Sequence, residues 1–269
     1  MADAIRLPLE LFYEREARHP NKRYMVQPLG GGQLLELSWA DVGEQARRAA
    51  SWLRSRELPQ GSRIAIISKN CAHWIIADLA IWMAGHVSVP LYPNLTADSM
   101  RQVLEHSEAA LALIGKLDDW ASMAPGLPQG LPTVCLPLHP QGSFDYSWDD
   151  LQRCAPIQDD PKPAVNQLAT IIYTSGTTGT PKGVMHNFSN FGFAASNAIK
   201  LFGVGEDDRL ISYLPLCHVA ERMFVELASL YAGQTIFFAE SLDTFLDDLK
   251  RARPTVMFGV PRIWTKFQM

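Results

Sequence analysis

One stretch constrains this chain more than any other: Tyr173-Thr-Ser-Gly-Thr-Thr-Gly-Thr-Pro-Lys-Gly-Val184. It gathers glycines, hydroxyls and a single lysine into twelve residues. The apolar, β-branched run Leu168-Ala-Thr-Ile-Ile172 precedes it and reads as a buried strand. A periodic segment, Asn187 to Leu201, follows and reads as a helix. Strand, glycine-hydroxyl loop and helix make an arrangement suited to a phosphate. Gly176 and Gly179 let the backbone turn sharply and bring N–H groups close to an anion. Thr174, Ser175, Thr177, Thr178 and Thr180 add hydroxyl donors, and Lys182 adds a cation that can meet a phosphate oxygen.

The loop is neither of the two best-known nucleotide loops. A Walker loop needs a second glycine five residues on and Ser or Thr after the lysine. Here Pro181 stands in the first place and Gly183 in the second. The dinucleotide G-x-G-x-x-G also fails, because Gly176 has no glycine two residues before it. A flexible surface turn would explain a short glycine loop. It does not explain this whole string together with its flanking strand and helix.

Tyr173 to Val184 resembles the signature loop of the adenylate-forming superfamily, which includes acyl-CoA synthetases, luciferases and peptide-synthetase adenylation domains. Leu214-Pro-Leu-Cys-His-Val-Ala-Glu-Arg222 resembles the next core motif of that family. Its His-x-x-Glu-Arg form is most similar to the long-chain fatty acyl-CoA ligases. Val89-Pro-Leu-Tyr-Pro-Asn-Leu-Thr96, Leu104-Glu-His-Ser-Glu-Ala109 and Phe258-Gly-Val-Pro-Arg-Ile-Trp264 are similar to the same group.

The resemblance implies a two-step chemistry. ATP and a carboxylate give an acyl-adenylate and pyrophosphate; a thiol, usually that of CoA, then displaces AMP. It implies ATP, Mg2+ and CoA as cofactor and co-substrates, and a long-chain fatty acid as substrate. It places His218 near the reacting carboxylate and α-phosphate, and the Thr174 hydroxyl near the magnesium. Glu221 and Arg222 fit the motif, but a helix-face ion pair accounts for them equally well. The family pattern continues with a metal-binding glutamate, a ribose-binding aspartate and a C-terminal domain with a catalytic lysine, none of which this chain matches. The chain is therefore expected to be an N-terminal fragment, inactive alone. Two alternatives stay open: a non-catalytic nucleotide-binding or scaffold module, and an acyl-AMP ligase or adenylation domain for another carboxylate.

Composition narrows the class further. A net charge of −4 argues against a non-specific nucleic-acid binder. Cys71, Cys135, Cys154 and Cys217 form no C-x-x-C pair, so buried thiols of a cytosolic protein are the simpler reading than zinc or redox pairing. The histidines other than His218 show no metal-ligand spacing. The most apolar region, Trp74 to Leu91, is interrupted by Asp78, Gly85, His86 and Pro90 and falls short of a membrane span. A cytoplasmic protein is expected, with peripheral membrane contact left open and the oligomeric state undetermined.

Along the chain, Tyr24-Met-Val and Leu34 to Leu37 flank Gly30–Gly32 and predict a hairpin. Arg63–Ser68, the helix Ala72–Ala84 and Val87–Leu91 predict a right-handed βαβ unit. Ala110–Ile114 is a further strand. The polar, proline-rich Gln158–Pro163 is the expected boundary between an N-terminal α/β subdomain, 1–162, and a second, incomplete one, 163–269. The second is expected to carry strands Leu168–Tyr173, Arg209–Tyr213, Thr235–Phe238 and Thr255–Phe258, and helices Asn187–Leu201, Val219–Tyr231 and Leu242–Arg253. The fold class is α/β: two doubly wound, mainly parallel sheets flanked by helices, the N-terminal part of the acyl-CoA synthetase fold.

Overall fold

The computed structural model describes residues 5–174, 181–261 and 263. The strands are β1 (Arg23–Gly30), β2 (Gln33–Ser38), β3 (Arg63–Ile67), β4 (Val87–Leu91), β5 (Ala109–Ile114), β6 (Thr133–Cys135), β7 (Tyr146–Ser147), β8 (Leu168–Thr174), β9 (Lys182–Asn187), β10 (Arg209–Ser212) and β11 (Thr235–Phe238). The helices are α1 (Pro8–Arg18), α2 (Trp39–Arg54), α3 (Ala72–Met83), α4 (Ala97–His106), α5 (Trp120–Met123), α6 (Trp148–Gln152), α7 (Phe188–Phe202), α8 (Val219–Glu221), α9 (Ala228–Ala232) and α10 (Phe245–Ala252). A π-helical turn, Arg222–Leu227, joins α8 to α9.

Two sheets form. The larger has seven strands in the order β7-β6-β5-β3-β4-β8-β9, and the smaller has four in the order β10-β11-β1-β2. Each is parallel except for one antiparallel edge, β9 on β8 and β2 on β1. The β3–α3–β4 unit pairs in parallel from Arg63↔Val87 to Ile67↔Leu91, as its sequence predicts. Both sheets draw strands from both sides of residue 162. β8 and β9 extend the sheet begun by β3, and the N-terminal hairpin β1–β2 completes the sheet of β10 and β11. The break at 162/163 divides the chain, not the sheets.

Local sequence sets the helices in place. Ser38 caps α2 and trades hydrogen bonds with Asp41, the Asp41 N–H donating at 3.1 Å and the Ser38 N–H at 2.8 Å. Val42, Ala46, Ala49, Ala50 and Leu53 then form its buried face, as their spacing predicts. Every residue of α3 is buried, and the helix touches β3 and β4 of one sheet and β1 of the other. A helix apolar on all sides belongs inside, which explains a hydrophobic run too interrupted for a membrane. Among the described residues no helix is long and apolar enough to cross one. Trp74, Trp82, Phe188 and Phe191 fill the space around α3.

Three expectations change. Thr255–Phe258 forms no strand. The Thr255 hydroxyl, not a carbonyl, accepts the Arg209 N–H at 2.9 Å, and Pro254 has no N–H to offer a ladder. The helix expected over Val219–Tyr231 is divided into α8, the π turn and α9. A strand, β9, occupies Lys182–Asn187, where the sequence predicts loop running into helix.

Candidate functional site

β9 changes the picture of the phosphate loop. The arrangement is strand, loop, strand and then helix, so the amino end of α7, capped by Asn187, stands a full strand away from the loop. Of the described residues in the stretch, Lys182 is the cation. The hairpin register sets Thr174 opposite Lys182 and Tyr173 opposite Gly183. The predicted hydroxyl and the predicted cation are therefore cross-strand neighbours, a spacing of about 5 Å between Cβ atoms. Both side chains are exposed. Ser175, Gly176, Thr177, Thr178, Gly179 and Thr180 lie outside the described residues.

The base of the hairpin is built tightly. Tyr173 is buried, and its hydroxyl lies 2.7 Å from His106 Nδ1 at the end of α4. A Cβ on Gly183 would meet Ile171 Cγ2 at 2.6 Å and Tyr173 Cζ at 3.1 Å. Glycine is required there by the side chains of β8, whatever the loop binds. His106 thus has a structural task, as its sequence context suggests.

His218 follows β10 and caps α8. Its Nδ1 accepts the Ala220 N–H at 3.1 Å, and its ring is exposed. In the neutral imidazole this leaves the proton on Nε2, free to act as a donor. Such a group can bond a carboxylate or phosphate oxygen without first losing a proton.

Glu221 and Arg222 are not a surface ion pair. Both are buried, and they bond in different directions. Glu221 Oε1 accepts from Ser212 Oγ at 3.0 Å and from the Tyr213 N–H at 2.9 Å, tying α8 to the end of β10. Burial is the dominant influence on its carboxyl and pushes its pKa up to about 8, against the partial opposition of those hydrogen bonds. Arg222 Nη2 donates to Asp78 of α3, Nε to Glu226 at 2.9 Å and Nη1 to the Thr170 hydroxyl of β8 at 2.8 Å. Its guanidinium also lies 5.2 Å from the centre of the Trp74 ring and 5.3 Å from that of Phe191. Two carboxylates face one cation, and burial raises Glu226 well above the ordinary carboxyl range, with the neighbouring Asp78 adding to the effect. The sequence carries one sign of this cluster that the motif reading passes over. Asp78 is the lone acid inside a helix that is otherwise apolar apart from His73, and a buried acid demands a partner.

A small apolar cavity of about 130 Å³ lies behind this segment, between α7, the π turn and β10. Ile199, Phe202, Phe224 and Met257 line it, and Glu221 reaches its wall. It is close in size to cavities of about 150 Å³ that admit benzene.

The Thr174 hydroxyl, which the resemblance sets near magnesium, is exposed at the carboxyl end of β8. No group of three or more acids, histidines or cysteines is arranged for a metal among the described residues. Magnesium commonly keeps its waters and binds through substrate phosphates and one or two carboxylates. An exposed hydroxyl with no such cluster beside it among the described residues fits an ion carried in on a nucleotide.

The AMP-binding enzyme family matches residues 12–268. The chain belongs to the AMP-binding enzyme family. It is 32% identical over 267 residues to the long-chain-fatty-acid–CoA ligase FadD15 of Mycobacterium bovis, an alignment covering 95% of this chain and 44% of that protein. It is 31% identical over 248 residues to the human long-chain-fatty-acid–CoA ligase ACSBG2, covering 86% of this chain and 37% of that one. The chain spans less than half the length of these relatives. Among solved structures, the anthranilate CoA ligase AuaEII in complex with anthranoyl-AMP superposes with a TM-score of 0.84 at 18% identity, over 95% of this chain and 50% of that one. The N-terminal domain of FACL13 from Mycobacterium tuberculosis superposes with a TM-score of 0.78 at 24% identity, over 98% of this chain and 65% of that one. These likenesses establish the fold: this AMP-binding chain has the architecture of the N-terminal domains of adenylate-forming ligases.

The Glu221 carboxyl gives a pH test of the site's construction. Its folded pKa lies above its unfolded value. Between the two, the folded chain holds a proton that the unfolded chain has released, so stability falls as pH rises toward and through about 8. Glu221→Gln keeps an acceptor for Ser212 and Tyr213 and removes the titration. Urea unfolding between about pH 7 and about pH 8.5, a window above the ordinary histidine range, should show a falling midpoint for the wild type and a flatter one for the variant. Equal slopes would mean that Glu221 is ionised in the folded chain.

Proposed function

We propose that this AMP-binding chain is the nucleotide-handling front of a long-chain fatty acid–CoA ligase. In the first step a fatty carboxylate oxygen bonds to the α-phosphorus of ATP, and the bond from that phosphorus to pyrophosphate breaks. In the second the CoA thiol attacks the acyl carbon and AMP leaves. The first step brings two anions together, so fixed donors and cations must offset their repulsion. Residues 174–180 and Lys182 hold the nucleotide phosphates, and His218 donates its Nε2–H to an oxygen of the carboxylate or the α-phosphate. Magnesium, held in part by Thr174, would supply further charge neutralisation.

The observation that carries this reading is the bond from Arg222 Nη1 to Thr170 Oγ1, 2.8 Å long. It ties the segment that begins at His218 to the strand that ends at Thr174, where the loop begins. The 214–222 motif and the 173–184 motif are thus braced against each other through one buried guanidinium. The names of the aligned relatives support a fatty acid as the carboxylate. The 130 Å³ cavity is too small for a long acyl chain, so it sets no chain length. A cytoplasmic location with peripheral membrane contact is consistent with such a substrate. Because the relatives are more than twice as long, the complete reaction is assigned to a full-length ligase and not to these residues alone.

Lys182 provides the direct test. In the full-length ligase, Lys182→Ala should impair the use of ATP more than the binding of fatty acid. A charged donor to an oxyanion contributes about 1.5–3 kcal/mol, an increase of roughly tenfold to a hundredfold in the KM for ATP. Steady-state kinetics with each substrate varied in turn decide it. An unchanged ATP dependence would remove Lys182 from the phosphate site.

A further inference from the structure

Asn70 lies in no motif, yet its side chain bonds the turn that leads into His218. It sits in the short loop between β3 and α3, at the carboxyl end of a central strand. Its Nδ2 donates to the Leu214 carbonyl at 2.6 Å and to Ser212 Oγ at 2.7 Å. Its Oδ1 accepts the Leu216 N–H at 2.9 Å. One planar amide therefore satisfies the carbonyl of one residue and the N–H of the residue two further on. Between them stands Pro215, which has no N–H to stabilise the turn from within. The shape of the Leu214–Leu216 turn is imposed from the other sheet.

From that turn the contacts lead directly to His218. The Pro215 carbonyl accepts the His218 N–H at 2.9 Å, and the His218 carbonyl accepts the Arg222 N–H at 3.2 Å. Ser212, bonded by Asn70, passes its own hydrogen to Glu221 Oε1 at 3.0 Å, and Asn70 Nδ2 stands 3.3 Å from the same oxygen. The turn before His218 and the helix after it are held by the same amide. Alanine offers neither donor nor acceptor. Aspartate keeps the acceptor but sets a carboxylate against the Leu214 carbonyl and the Glu221 carboxyl.

We propose that Asn70 is a positioning residue for the adenylation step: its amide fixes the Leu214–Leu216 turn and thereby the place of the His218 imidazole. This rests on the reading that His218 bonds the reacting carboxylate or α-phosphate. The amide is well suited to the task because it bridges the ends of β3 and β10, one strand from each sheet. It keeps the histidine in register with the sheet that carries the phosphate loop.

The test uses fatty-acid-dependent ATP–pyrophosphate exchange by the full-length ligase. Misplacement by about 1 Å can cost about a hundredfold in rate, so Asn70→Ala should lower kcat by roughly tenfold to a hundredfold and move the KM for ATP by less than about threefold. Because the two residues act as one unit, Asn70→Ala combined with His218→Ala should be no slower than His218→Ala alone, within about twofold. Asn70→Asp should not restore the rate. If Asn70→Ala does not fold, Asn70→Asp takes its place in the cycle. A folded variant with unchanged kcat, or losses that multiply in the double variant, would overturn the proposal. The second measurement is the 1H–15N spectrum of the 269-residue chain. Replacement of Asn70 should shift the amide of Leu216 and the imidazole of His218. If His218→Ala leaves exchange untouched, the role given to His218 in catalysis falls. The spectrum then still decides whether Asn70 places that ring, and an unmoved His218 resonance rejects it.

Discussion

Replacing Arg222 with leucine is expected to destabilise the fold by about 3–5 kcal/mol, the cost of leaving a buried charge without its partner. The guanidinium is fully buried and bonds three side chains on three elements: Asp78 on α3, Thr170 on β8 and Glu226 on its own π turn. Leucine fills part of the volume and satisfies none of them. The substitution would strip Asp78 of its bond to the guanidinium. Total stabilities of about 5–15 kcal/mol leave little room for such a loss. Lysine at this position restores the charge but not the fork, since an ammonium cannot reach three acceptors in the plane of a guanidinium. The penalty comes chiefly from the stranded charge, so adding Asp78→Asn to Arg222→Leu should recover part of it. Denaturant unfolding of the wild type, the single variant and the double variant measures all three. An unchanged midpoint for Arg222→Leu would show that the cluster does not brace the two motifs.

What the sequence revealed and what it hid differ for physical reasons. α7 runs from Phe188 to Phe202, one residue from its predicted bounds, because its apolar spacing and its Asn187 cap are both local signals. β8 and the β3–α3–β4 unit were legible because buried parallel strands are continuous apolar runs. β9 was hidden. It is an edge strand in which Lys182, Val184 and Met185 are all exposed, so no alternation of apolar and polar residues marks it. The motif positions of His218, Glu221 and Arg222 stood out, but their environments did not. Whether an adjacent Glu and Arg form a surface pair or turn inward is decided by Ser212 and by residues 78 and 170, the last two far away in sequence. Asn70 carried no local signal, since an asparagine after a strand usually serves its own turn. Its partners lie more than a hundred residues further on.

The isolated chain is expected to form no acyl-adenylate, although it carries the loop, Lys182 and His218. The aligned ligases are more than twice as long. Each missing donor at a developing charge costs about a hundredfold or more in rate, and an open site admits water that weakens those remaining. Weak nucleotide binding through residues 174–182 can persist without turnover. The most direct measurement is therefore ATP–pyrophosphate exchange with a long-chain fatty acid, run on the 269-residue chain beside the full-length ligase. Exchange that requires the fatty acid in the full-length protein and is absent from the shorter chain is the expected result. Robust exchange by the 269-residue chain alone, or none by the full-length protein with any long-chain fatty acid, would contradict it.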